Sequence, residues 1–89
     1  MDKKERENLR LLVLSAISAA KGYAVEVQHL RPNLPPRLKL LPAEDIEFEL
    51  QYLEDCGFIE QEEKAISPEN KQWKIKKAGR DHLAKEGME

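Results

Sequence analysis

The groups able to do chemistry in this 89-residue chain are few, and their spacing narrows what that chemistry is. His29 and His82 stand far apart, with no Cys or carboxylate at metal-ligand spacing, so they read as exposed or packed imidazoles and no metal site is expected. The four glycines are scattered, which leaves no Gly-rich loop to cradle a phosphate. Carboxylates are plentiful between residues 43 and 56, but an acidic stripe without a basic or nucleophilic partner is a solvated helix face before it is a general acid–base pair. No catalytic residue and no cofactor are expected, and the chain does not read as an enzyme. Cys56 is the single cysteine and has no basic neighbour to activate a thiolate, so it is expected to pack as a small hydrophobe.

The remaining chemistry is charge. The net charge of -2 conceals three blocks. Residues 1–42 carry eight Lys/Arg against four Asp/Glu, residues 43–63 carry none against nine, and residues 64–89 carry seven against four. Lys64, Lys71, Lys74 and Lys76, with Arg37 and Lys39 ahead of the acidic block, are the candidate phosphate contacts for double-stranded DNA. Gln51 joins them as a candidate DNA contact from the middle segment. Glu44, Asp45, Glu47, Glu49, Glu54 and Asp55 form the opposite kind of surface, with Glu44 and Glu47 as candidate contacts for a basic protein partner.

These groups must be held by elements that the apolar pattern defines. Leu9, Leu12, Val13, Ala16, Ile17 and Ala20 recur at helical spacing, and Gly22 supplies a stop, so a first helix is expected from Asp2 to Ala20. Leu11 and Leu14 fall on roughly its opposite side, either as a homodimer contact or as part of a broader buried face in a helix covered on two sides. Tyr23 to Val27 reads equally as a short strand or as the approach to a second helix. Pro32, Pro35, Pro36 and Pro42 require any second helix to be short or broken, while Leu30, Leu34, Leu38, Leu40 and Leu41 make the segment too apolar for a linker.

Ile46, Leu50 and Leu53 then mark a helix from Ala43 to Cys56, opened by Pro42 and acidic residues and closed by Gly57. Phe58 and Ile59 begin a strand reaching about Ile66, Ser67 to Asn70 is a turn by composition, and Gln72 to Lys76 returns with strict alternation. Trp73 and Ile75 should face the core, and Gln72, Lys74 and Lys76 the solvent. Lys77-Ala78-Gly79 is expected to turn the chain into a last helix from Arg80 to Lys85.

In this order two stretches resemble a known family. Leu50-Gln51-Tyr52-Leu53-Glu54-Asp55-Cys56-Gly57-Phe58-Ile59 is similar to the end of the recognition helix in winged-helix regulators of the MarR, PadR and ArsR type. Trp73-Lys74-Ile75-Lys76-Lys77-Ala78-Gly79-Arg80-Asp81-His82-Leu83 resembles their wing-closing pattern. The length also resembles small winged-helix proteins encoded by Mu-like phages and prophages. The resemblance implies one α+β winged-helix domain over residues 1–89: a three-helix core with the second helix short or broken, a β-hairpin wing and a short C-terminal helix. It implies transcription regulation through DNA, with contacts mainly from a basic wing.

Two features depart from that family, the proline-broken second helix and an acidic face where the resemblance puts the DNA-reading helix. They favour an alternative, a protein-interaction or assembly domain on the same scaffold. The composition, 40% hydrophobic and 36% charged, is that of a folded and not a disordered chain. The lone cysteine and the lack of a charged-then-apolar leader point to a reducing cytoplasm. Leu11-Leu12-Val13-Leu14 is too short to span a bilayer, so no membrane role is expected.

Overall fold

The computed structural model describes residues 2–62 and 71–88. Helix α1 spans Lys3–Ser18 and starts where Asp2 accepts a hydrogen bond from the Glu5 backbone N–H at 2.8 Å, an N-cap that satisfies one otherwise orphaned donor. The helix ends two residues before the expected Ala20, and the chain leaves it through Lys21 and Gly22, both at positive φ.

The ambiguous Tyr23–Val27 stretch serves both expected uses. Val25 exchanges two backbone hydrogen bonds of 2.8 Å with Trp73, and α2 (Val27–Leu30) begins two residues later. A 3-10 turn (Arg31–Asn33) and α3 (Pro36–Lys39) follow, so the helical path is broken as the prolines require. The prolines sit at helix starts, Pro32 in the 3-10 turn, Pro35 as the N-cap of α3 and Pro36 in its first turn, where a missing N–H costs nothing.

Helix α4 (Ala43–Asp55) starts from Pro42 with Glu44 and Asp45 in its first turn. Its exit is a double-bonded left-handed cap: Phe58 N–H donates to Leu53 C=O at 3.0 Å, Gly57 N–H to Glu54 C=O at 2.9 Å, and Gly57 takes φ 79°. Cys56 is the cap residue and is exposed, a correction to its expected packing. The last core position of the helix is Leu53, and the turn carries Cys56 past it into solvent.

Strands β1 (Ile59–Gln61) and β2 (Trp73–Ile75) pair antiparallel, with Ile59 opposite Ile75 and Gln61 opposite Trp73. Trp73 and Ile75 are buried, as the alternation requires, and Trp73 lies between Gln61 on one side and Val25 on the other. The expected continuation to Ile66 and the Ser67–Asn70 turn lie outside the described residues.

Helix α5 runs Lys77–Lys85, three residues earlier than expected. Gly79 is therefore not a corner but part of the first turn, and a close-contact glycine. A Cβ there would lie 2.3 Å from the Phe58 carbonyl oxygen and 3.0 Å from Ile75 Cγ1. Its lack of a side chain lets α5 settle onto the start of the hairpin.

Helix α1 is the centre of the packing, touching α2, α4, β2 and α5. One core cluster joins Leu9, Val13, Leu14 and Ile17 of α1 to Ile46, Leu50 and Leu53 of α4, Ile59 and Trp73 of the hairpin and Leu83 of α5. Leu14 is 0% exposed, so it is not an oligomer contact; with α5 against it, α1 has the broader buried face that was the other reading. Leu11 is half-buried. The architecture is α+β, with helices packed about α1 and a small antiparallel hairpin beside it.

Candidate functional site: the outer face of α4 and its seam with α1

Helix α4 buries Ile46, Leu50 and Leu53 as a strip, and the 100° step per residue then places Glu44, Phe48, Gln51 and Asp55 opposite the core. Glu44, Asp45, Glu47, Gln51 and Asp55 are exposed. Gln51 lies flat on this face, its Nε2 donating to Glu54 Oε1 at 3.2 Å and Asp55 Oδ1 at 3.0 Å. Two aromatic rings lie among the carboxylates, Phe48 at 58% exposure and Tyr52 at 43%.

Glu49 corrects the sequence-based picture of a uniformly solvated acidic face. It is 2% exposed, on the flank of α4 turned toward α1, where Arg10 Nε donates to its Oε2 at 2.8 Å. Burial of a carboxylate is tolerated only with such a charge-assisted partner. The same guanidinium lies 3.7 Å from the centroid of the Tyr52 ring, and that of Arg6, one turn earlier, lies 5.5 Å from the centroid of Phe48. Arg6 and Arg10 on α1 thus match Phe48 and Tyr52 on α4, each pair four residues apart. Beside this seam a cleft of about 380 Å³ is lined by Arg6, Leu9, Glu44, Asp45, Phe48 and Glu49.

The candidate basic residues that the structure describes lie on the hairpin, at its junction with α5 and at the end of α3. Lys74 lies between Glu62 and Glu60, its Nζ 3.1 Å and 3.5 Å from their carboxylates. The hydrogen bond and charge of Glu62, then those of Glu60, hold its pKa above the ordinary lysine value. Lys71 is half-buried with its ammonium 5.9 Å from the centroid of Trp73. Lys76 is exposed at the start of α5, and Lys39 is exposed at the end of α3, where its carbonyl accepts from Arg31 Nη1 at 2.9 Å. Lys64 and the Arg37 side chain lie outside the described residues.

Of the candidate partner contacts, Glu44 and Glu47 are exposed on α4, whereas Leu11 is half-buried and Leu14 buried on α1. Those two leucines line a second cleft of about 320 Å³ near α5, which also holds His82 stacked on Phe58 with ring centroids 4.6 Å apart. Sequence reasoning missed Arg6, Arg10, Phe48 and Tyr52, and took Glu49 for one more carboxylate of the solvated face. The signal available was the matched four-residue spacing of two arginines and two aromatics, which acquires meaning only once α1 and α4 are known to be neighbours. Among the described residues no group of three or more His, Cys, Asp or Glu is placed to hold a metal ion, and no helix is long and apolar enough to cross a membrane. In comparisons with protein-family models, with curated proteins and with solved structures, nothing matches the chain.

Proposed function

We propose that the chain is a winged-helix domain that docks a basic protein partner through the outer face of α4. The observation that carries this reading is the exposed Phe48–Tyr52 pair set among Glu44, Asp45, Glu47 and Asp55, on a helix that has no Lys or Arg of its own. Aromatic rings supply contact area at low entropic cost, and a rim of one charge selects a partner of the other. The order of α1, broken helical segment, α4, hairpin and α5 supports the winged-helix assignment. Regulation of transcription through DNA takes second place. A face of carboxylates repels phosphates and releases no counterions, and Lys74, central to the expected basic wing, is already neutralised by Glu60 and Glu62.

The two readings separate in one experiment. Backbone amide resonances are followed while the protein is titrated at low salt, first with a Lys/Arg-rich peptide and then with a mixed-sequence DNA duplex. The peptide is expected to shift the outer-face residues of α4, with an affinity that falls as salt rises, and the duplex to leave them in place. Shifts of Lys71, Lys76 and the hairpin on adding DNA, with no response to the peptide, would replace this reading by the DNA one.

A further inference from the structure

The geometry points to the kind of basic partner: we propose that α4 receives an α-helix carrying arginines four residues apart, which stack on Phe48 and Tyr52 from the side that α1 leaves open. This rests on the α4 docking face just proposed and specifies its ligand.

Three observations carry it. First, the protein already makes such a contact within itself. Arg6 and Arg10, one helical turn apart on α1, lie over Phe48 and Tyr52, one turn apart on α4, at 5.5 Å and 3.7 Å from the ring centroids. Residues at i and i+4 on a helix are separated by about 6 Å along its axis, so any helix packed roughly alongside α4 can repeat that register. Second, the rings are not used up by it. Phe48 is more than half exposed and Tyr52 nearly so, whereas a ring enclosed between two elements would be neither. Third, charge is left over on that side. Glu49 is neutralised by Arg10, while Glu44, Asp45 and Glu47 have no ion pair among the described residues and Asp55 accepts only from the neutral Gln51 amide.

Arginine fits this surface better than lysine for a physical reason. A planar, weakly hydrated guanidinium can stack on a ring and donate to a carboxylate at its edge with the same group, whereas an ammonium keeps its hydration shell. Helical register adds the selectivity, since a four-residue spacing matches the repeat of Phe48 and Tyr52 and presents two guanidinium groups to both rings at once.

The test uses the full chain and three synthetic helical peptides of equal length and net charge. One has arginines at i, i+4 and i+8, one has the same composition with the arginines distributed around the helix, and one has lysines at i, i+4 and i+8. Affinities are measured by fluorescence anisotropy at low salt. The first peptide is expected to bind at least tenfold more tightly than the second and several-fold more tightly than the third. Phe48→Ala, at an exposed position where folding is not at issue, should remove most of the advantage of the first over the second. Equal binding of the first two peptides would overturn the register proposal while leaving a basic-partner face standing. Failure of all three to bind would overturn both.

Discussion

At the scale of single residues, the pair Arg10–Glu49 is the buried charge contact of the α1–α4 seam. Glu49 gives up nearly all of its hydration and has the Arg10 guanidinium as its partner, while Arg10 keeps some contact with water. Breaking such a pair from one side leaves a buried charge uncompensated, so Arg10→Ala is expected to destabilise the fold by about 2–3 kcal/mol. Replacing both partners by apolar residues of similar size removes the desolvation cost together with the attraction, so Arg10→Met/Glu49→Leu should stay within about 1 kcal/mol of the parent or exceed it. Urea unfolding of the two variants checks this. A double variant as unstable as the single one would mean that the pair stabilises the fold beyond its mutual neutralisation. The sequence contained both residues without marking either: Glu49 looked like its acidic neighbours until the packing of α1 placed it underneath them.

At the scale of elements, the exit of α4 and the inward face of β2 were legible because each depends on local chemistry. Gly57 closes α4 and the alternation of Trp73 and Ile75 sets the inward face of β2. The boundary of α5 was not legible, because Gly79 has two local uses, as a turn residue or as a close-contact helix residue, and only the nearness of Phe58 decides between them. Gly79→Ala is the corresponding test. Helix propensity alone would favour alanine by up to about 1 kcal/mol. With the added methyl 2.3 Å from the Phe58 carbonyl, the helix must shift instead, and a net loss of about 1–3 kcal/mol is expected. Thermal unfolding followed by circular dichroism reads the sign, and a stabilised variant would show that α5 is free to move away from β1.

At the scale of the molecule, one hydrophobic cluster ties every long element to α1, and the radius of gyration of 12.0 Å is about what a packed chain of this length gives. A chain this small has roughly 5–10 kcal/mol of stability in all. Leu14→Glu puts a carboxylate into that cluster and is expected to abolish the cooperative unfolding transition, whereas Leu11→Glu, at a half-buried position, should fold. If Leu14→Glu instead gave a folded monomer, α1 would not be the hub that its packing indicates. The sequence by itself determined what is local or periodic: the apolar strips of α1 and α4, the glycine-capped exits, the broken proline segment, the inward face of β2 and the segregation of charge into blocks. Tertiary structure decided what depends on neighbours distant in the chain. It placed Leu14 in the core, took Glu49 out of the acidic face, neutralised Lys74 and set two arginines over two aromatics. The reason is that period and propensity act within a few residues, whereas burial and charge pairing depend on which helix lies alongside which.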